Sequence, residues 1–555
     1  MSDPRSAGAA GIARGLIGAA ADRVAGARVL AGAGVVRPMR PDKLPRLGVA
    51  YLTRGATIGT GIIAGRIRHP DATMLHDELG SLTFADLDRR TNAIATGLSR
   101  LGVDAGDGVA IMARNHRGFV EAVGATSKLG ADALFLNTSF SGPQLAAVLE
   151  REQPAAVIYD AEFAGLLADA GPVRQRVLAW TDDDGAPDDA PTLERLAAGP
   201  SAAPSSPSRQ GRMTILTSGT TGTPKGAQRG KLGPDLATGL LSRIPLREGM
   251  TTVLPAPLFH AWGLAGFGLS SMLLGSPIVL RRRFDPEAVL GDIERHRAEA
   301  MFVVPVMLAR ILDLPGEVRD RYDISSLKVV AASGSALPGD LAARWMDYAG
   351  DNLYNMYGST EVTFATIATP ADMRAAPGTA GKAPRGVVVR LYDDAGGVVE
   401  RGGTGRIFVG NKSLFEGYTG GGSKDQIDGL MATGDIGRFD EAGRLFVVGR
   451  DDEMIVSGGE NVFPKEVEDC LLAHAAVGDA AAIGVDDEQF GQRLKAFLVR
   501  TEGVADTPGD DELKAHVKDN LAGYKVPREF VWLDELPRNA TGKIVKRELA
   551  EADAD

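Results

Sequence analysis

Short apolar runs alternate with longer amphipathic ones from about residue 80 onward. Gly108-Val109-Ala110-Ile111-Met112 has no polar break and predicts a buried strand. Residues 119–128 space their apolar side chains as a helix does, and Ala131-Asp132-Ala133-Leu134-Phe135-Leu136 predicts the next strand. A strand, a helix and a strand in that order form a βαβ unit, which implies parallel sheet. Residues 155–159 and 176–180 continue the pattern. Residues 181–211, rich in Asp, Pro, Ser and Ala, predict a loop leading into Met213-Thr214-Ile215-Leu216. Later runs, at 387–391 and 405–409, are short and separated by turns, which suggests a barrel-like subdomain.

Two stretches depart from this alternation. Residues 249–280 contain no Asp, Glu, Lys or Arg, and 261–280 reaches the ~20 residues that could span a bilayer. Pro255, Pro257 and the break at Gly275-Ser276-Pro277 divide the run, so a strand, a buried helix and another strand are expected. Arg281-Arg282-Arg283 behind it reads as a solvated strand end. At the other end, residues 1–46 are rich in Ala, Gly and Arg, with Asp3, Asp22 and Asp42 as their only acids. Ile12, Leu16, Val24 and Leu30 fall loosely on one helical side, interrupted by Arg23, and no signal-peptide core stands out. A disordered or surface-docked extension is expected, with a weak membrane-surface anchor as the sharper reading.

A chain of 555 residues is too long for one core, so at least two domains are expected. The single cysteine, Cys470, excludes an internal disulfide and fits a reducing, cytoplasmic setting. The net charge of −11 speaks against general nucleic-acid binding. Any anionic ligand therefore needs local positive charge, for which Lys225, Arg450, Lys525, Lys543, Lys546 and Arg547 are candidates.

The strongest local signal is Thr217-Ser218-Gly219-Thr220-Thr221-Gly222-Thr223-Pro224-Lys225. Its glycines allow backbone N–H groups to approach an anion, its hydroxyls add donors, and Lys225 adds charge. It is not a Walker A loop, because Gly226 follows the lysine where that frame has Ser or Thr.

Further strings follow in order: Pro257-Leu258-Phe259-His260, Ser333-Gly334-Ser335-Ala336-Leu337-Pro338, Tyr357-Gly358-Ser359-Thr360-Glu361, Thr433-Gly434-Asp435, Gly449-Arg450, Ser457-Gly458-Gly459-Glu460-Asn461 and Pro537-Arg538-Asn539-Ala540-Thr541-Gly542-Lys543. The set resembles the adenylate-forming superfamily, in particular its fatty acyl-CoA synthetases, across about residues 75–550. The resemblance implies an α/β fold in two parts. A large AMP-binding domain at 47–450 has mixed sheets, helices and a small barrel. A hinge at 451–452 leads to a smaller mobile α+β domain at 453–555.

It also implies two half-reactions. A carboxylate attacks ATP to give acyl-adenylate and pyrophosphate, and CoA then displaces AMP. Lys543 would stabilise the adenylation transition state. Glu361 would hold Mg2+, Thr360 would bind the α-phosphate and Tyr357 would face adenine. Gly334, Ser335 and Ala336 would border adenine and the acyl group, while Asp435 and Arg450 would hold the ribose. Gly458 and Gly459 would let the CoA thiol arm pass. His260 would wall or gate the acyl site, and the absent side chains of Gly263, Gly266 and Gly268 would leave a groove for a medium or long alkyl chain.

Two other readings compete. An acyl-AMP ligase would hand its product to a carrier protein, although the short segment from Glu361 to Gly381-Lys382 leaves little room for that group's insertion. A non-catalytic nucleotide-binding scaffold would not need Glu361, Asp435, Arg450 and Lys543 together.

Overall fold

The computed structural model describes residues 24–171, 173–182, 190–217, 225–229, 234–419, 421–457, 460–487, 491–504, 507–539 and 542–554. Residues 218–224, Gly458 and Gly459 lie outside this set, as does the side chain of Thr217.

Two sheets form the body of the large domain. One has six strands, five of them parallel, and ends in the antiparallel pair Met213–Thr217 and Lys225–Arg229. The other has eight strands. Ala300–Val303, Val329–Ala332 and Leu353–Tyr357 run parallel at neighbouring positions in it. One apolar core joins the sheets, since Val109, Ile111 and Phe135 of the first and Leu75, Ile278 and Phe302 of the second belong to the same cluster.

The helix Arg117–Leu129 is buried between them, with Phe119, Val120, Ala122 and Ala125 inaccessible to solvent. Its buried charges are paired, Glu121 with Arg90 and Lys128 with Asp88, so the helix is enclosed on nearly all sides. It begins at His116, whose ring accepts the N–H of Gly118, and ends at Gly130, which takes the left-handed conformation at φ 74°. The expected strands at 108–112, 131–136, 155–159 and 176–180 are all present, to within a residue or two at their ends.

The uncharged run 249–280 divides as expected. The strand Thr252–Val253, the helix Ala261–Phe267 and the strand Ile278–Val279 appear in order, with a π-helical turn Gly268–Leu273 between the last two. Among the described residues no helix is long and apolar enough to cross a membrane. Arg283 is solvated as expected of a strand end, but Arg281 and Arg282 are not. Arg281 pairs with Asp292 at 2.5 Å, Arg282 with Asp182 at 2.5 Å and Glu162 at 2.9 Å, and Arg283 with Glu162 at 3.3 Å. Glu162 and Asp182 come from distant segments, and Asp292 from the helix that follows.

Five antiparallel-paired strands, from Val388–Tyr392 to Leu445–Arg450, build the barrel-like subdomain. A 3₁₀ turn at Asp451–Glu453 leads to the small domain, a five-stranded sheet with helices Pro464–Leu472, Asp510–Asn520 and Lys546–Ala554. Cys470 is half-buried at the edge of that domain's core.

Candidate active site

A cleft of about 1830 Å³ opens where the eight-stranded sheet, the barrel and the small domain meet. The sheet presents the carboxyl ends of its parallel strands, the usual ligand-binding edge of such sheets. Ser333, Gly334, Ser335 and Ala336 follow Val329–Ala332 into it, and Tyr357 to Glu361 follow Leu353–Tyr357.

The turn after Tyr357 is tightly folded. A Cβ on Gly358 would lie 2.5 Å from the carbonyl oxygen of Thr363, so no side chain fits there. Thr363 itself takes φ 68°, and its N–H closes the turn onto the Ser359 carbonyl at 2.8 Å. This turn holds Glu361 buried, with Oε1 accepting the Tyr418 hydroxyl at 2.8 Å. Lys225 sits 5.6 Å from the centre of the Tyr418 ring, which brings it into the same corner. Thr217 and Lys225 are ladder partners at the end of the hairpin.

Asp435 and Arg450 face each other across an antiparallel ladder, and their charged groups are 3.9 Å apart. Tyr357 donates its hydroxyl to Asp435 Oδ2 at 2.5 Å. Burial pushes the Asp435 carboxyl up, while Tyr357, Arg450 and Lys543 pull it down. The Tyr357 phenol is raised well above its usual range, by burial and by the Asp435 charge, and stays a donor.

Lys543 enters from the small domain. Its loop is closed by Asn539, whose side chain accepts the Lys543 N–H at 3.0 Å and whose carbonyl accepts the Gly542 N–H at 2.8 Å. Arg538 ties the loop down by bonding the Gly542 carbonyl and pairing with Asp479. Gly542 has φ 75° and lies so near the large domain that a Cβ would be 2.4 Å from Val306 Cγ1. The Lys543 side chain is in contact with the cleft's solvent, yet protein surrounds it. That enclosure and Arg450 lower its pKa, against the opposing pull of Asp435 and Glu361. Lys546 plays a different part, bridging Glu453 and Glu468 at 2.9 Å each. Lys525 is likewise committed to Glu466, and Arg547 to Glu551.

His260 occupies the N-cap position of the helix Ala261–Phe267, and its ring lies 4.4 Å from that of Phe259, tilted by 44°. Desolvation, with a smaller push from Lys543, lowers its pKa to about 3, so the ring is neutral at ordinary pH. Its Nε2 is buried with no hydrogen-bond partner among the described residues, and the residue lines the cleft. A neutral imidazole in that state can still accept or donate one bond.

Beyond His260 the cleft is walled by Ile58, Leu236, Leu240, Leu264, Leu269 and Met272. These six residues carry no charge. The glycine groove expected here is not what the helix builds. A Cβ on Gly263 would meet the Pro257 carbonyl at 2.2 Å, and one on Gly266 would meet Leu254 and Phe302 at 2.8 Å. Those two glycines let the helix lie close on the sheet beneath it. Only Gly268 faces open space.

The structure thus brings Lys225, His260, Gly334, Ser335, Ala336, Tyr357, Gly358, Thr360, Glu361, Asp435, Arg450 and Lys543 to one cleft. Ser218, Gly219, Thr220, Thr221, Gly222, Thr223, Gly458 and Gly459 are outside the described residues. Tyr418 and Val306 were not singled out from the sequence, because each matters through a contact far along the chain. One carboxylate, Glu361, is available for Mg2+ in this corner, and among the described residues no three His, Cys, Asp or Glu converge. That donor set suits an octahedral ion that takes its other oxygens from phosphate and water.

Residues 66–419 match the model of the AMP-binding enzyme family, and residues 466–543 match that of the AMP-binding enzyme C-terminal domain. The chain is 34% identical over 489 residues to a feruloyl-CoA synthase of Amycolatopsis sp, covering 86% of this chain and 96% of that enzyme. It is 30% identical to a 2-succinylbenzoate–CoA ligase of Bacillus cereus, covering 87% of this chain and 96% of that one. Among solved structures, an anthranilate CoA ligase in complex with anthranoyl-AMP superposes with a TM-score of 0.78 at 25% identity, covering 89% of this chain and 97% of that one.

Proposed function

We propose that this chain, which belongs to the AMP-binding enzyme family, activates an uncharged-tail carboxylic acid with ATP and transfers the acyl group to CoA. One observation carries the reading. Lys543 of the small domain stands in the same cleft as Glu361, the Asp435–Arg450 pair and a charge-free apolar wall.

In the first step an acid oxygen bonds to the α-phosphorus, and the bond to the bridging oxygen of pyrophosphate breaks. Both reactants are anions, so positioned positive charge is the chief need. Lys225 and the loop before it serve the phosphates, and Lys543 serves the oxygens that gain charge. Thr360 adds a hydroxyl donor to the α-phosphate. Mg2+ held by Glu361 would neutralise further phosphate charge. Asp435 takes the ribose hydroxyls, with Arg450 supporting it, while Tyr357 and the Gly334-Ser335-Ala336 backbone border the base. Neutral His260 stands where the acid's carboxylate must pass. In the second step the CoA sulfur bonds to the acyl carbon, AMP leaves and the thiol gives up its proton. The small domain turns at 451–452 so that Gly458 and Gly459 face the cleft.

The acid is proposed to be aromatic or arylalkenoic. The feruloyl-CoA synthase resemblance supports it, and so do the six apolar residues of the wall. A medium- or long-chain fatty acid loses its structural argument, because Gly263 and Gly266 back onto Pro257 and Phe302. Pyrophosphate release measured with a panel of cinnamic, benzoic, dicarboxylic and fatty acids, with and without CoA, tests the proposal. Release that is strongest with dicarboxylates would overturn the acid assignment. Release without thioester would favour a carrier-protein acceptor, and no release with any acid would leave a scaffold.

Glu361→Gln keeps shape and removes charge. It is expected to slow pyrophosphate release by ~10²-fold and to flatten its dependence on Mg2+. An unchanged magnesium titration would remove Glu361 from this role.

Gly268→Val and Gly266→Val are expected to diverge. The first adds bulk to the cleft and should change the ranking of acids at constant melting temperature. The second collides with Leu254 and Phe302 and should cost about 1–3 kcal/mol of stability. Matching acid profiles in wild type and Gly268→Val would place the acyl site elsewhere.

A further inference from the structure

The helix Lys43–Arg54 is turned inside out relative to an ordinary surface helix. Its two terminal basic residues point inward: Lys43 Nζ donates to the Arg68 carbonyl at 2.8 Å, and Arg54 donates to the Pro204 carbonyl at 2.6 Å and the Lys128 carbonyl at 3.3 Å. Ala50 is buried with them. The apolar residues point outward: Leu44 is 56% exposed, Val49 59%, Tyr51 47% and Leu52 89%. At about 100° per residue these four, with Pro45 and Gly48, form one continuous arc on the side away from Ala50. Val36 and Val24, in the segment before it, are also exposed, at 61% and 52%. Isolated surface leucines need no explanation, but a continuous arc of this kind marks a contact surface.

Charge indicates what it contacts. Residues 24–54 carry Arg28, Arg37, Arg40, Lys43, Arg46 and Arg54 against the single acid Asp42, in a chain whose net charge is −11. Arg37 is paired with Glu248 at 2.8 Å and Arg40 with Asp42 at 3.1 Å, while Arg28 and Arg46 are exposed and Arg46 falls next to Val49 at the edge of the arc. An apolar face with an arginine at one edge and a tyrosine at the other is the composition of a helix that lies in the headgroup region of a bilayer. The placement is also apt, since Tyr51 and the following Ala56, Thr57 and Ile58 line the cleft that opens on the acyl side.

We infer that the Lys43–Arg54 helix and the basic segment before it form a docking surface for an anionic lipid bilayer. Apolar insertion of Leu44, Leu52, Val49 and Tyr51 provides the grip, and the arginines provide selectivity for anionic headgroups. The docked enzyme presents its acyl-side opening to the membrane, where an apolar acid is concentrated. That last clause rests on the proposed activity; the docking does not.

The test is flotation of the full chain with vesicles of phosphatidylcholine, with or without about one quarter phosphatidylglycerol. No acid, ATP or CoA is added, so the outcome is independent of the activity. Wild type is expected to float with the anionic vesicles, and Leu44→Glu/Leu52→Glu is expected to lower the bound fraction by ~10-fold. Arg40→Gln/Arg46→Gln should lower it by ~3-fold or more and weaken its salt dependence. Circular dichroism checks folding. Should the double variant lose helicity, Leu52→Glu alone, at the most exposed position, must still reduce flotation. No flotation of wild type, equal binding to neutral vesicles, or undiminished binding of the leucine variants would overturn the inference. So would a solution dimer that Leu44→Glu/Leu52→Glu dissociates while vesicles go unbound, because the face would then join two copies of the chain.

Discussion

Lys543→Ala is expected to slow acyl-adenylate formation by about 10²–10³-fold, the usual scale for removing one donor aimed at developing charge. The structure supports a large value. The ammonium lies in the cleft with Arg450, Asp435 and Glu361 close enough to shift its pKa. Its loop is held by Asn539, Arg538 and the contact of Gly542 with Val306, so little reorganisation is needed when the reaction begins. The thioester step, started from synthetic acyl-adenylate, should be nearly unaffected. The measurement is single-turnover pyrophosphate release beside thioester formation from supplied adenylate. Equal losses in both steps would make Lys543 structural or give it two roles. The lowered pKa adds a pH signature. The stabilising ammonium is present below its folded pKa and is lost as pH rises through it. The alkaline limb of the adenylation profile in wild type should therefore be absent from the residual activity of Lys543→Ala.

Much of this site was legible from the sequence because its parts are local strings. Tyr357 to Glu361 is one turn, and Asp435 and Arg450 are hairpin partners only 15 positions apart. What could not be read is what those strings touch. Tyr418 bonds Glu361 across 57 positions, and nothing local distinguishes it from other tyrosines. The same limit explains the glycines at 263 and 266. A missing side chain leaves a groove only if nothing else approaches, and here the Pro257 backbone and the Phe302 ring do. Arg281 and Arg282 looked solvated because Glu162, Asp182 and Asp292 are invisible to a local pattern. The alternating strands and the central helix were legible for the opposite reason. Their burial is written in periodicity, which a chain carries with it.

The turn between the domains leads to the second large effect. Asp451–Glu453 forms a 3₁₀ turn, flanked by the Arg406–Asp451 pair at 3.1 Å and the Lys546–Glu453 pair at 2.9 Å. In this arrangement Lys543 occupies the cleft. In the reaction proposed above the thioester step brings the glycine-bearing face of the small domain there instead, and one cleft cannot hold both. The exchange must be absorbed by a few backbone angles in this connection. Proline fixes φ near −65°, which a 3₁₀ turn accepts, and in the first turn its missing N–H removes no helical bond. Asp452→Pro therefore preserves the orientation seen here while blocking departures from it. Adenylation is expected to stay within about threefold of wild type, and thioester formation to fall by ~10²-fold or more, the range over which misplacing a reacting group by an ångström is felt. Acyl-adenylate should accumulate on the enzyme in stoichiometric amount, visible as a pyrophosphate burst with no matching thioester. Asp452→Ala separates the rigid ring from the lost carboxylate, since it removes the same charge and leaves φ free. It should turn over both steps. If Asp452→Ala and Asp452→Pro lose thioester formation equally, the carboxylate rather than backbone rotation at 452 is responsible; if neither loses it, the pivot lies elsewhere in the connection.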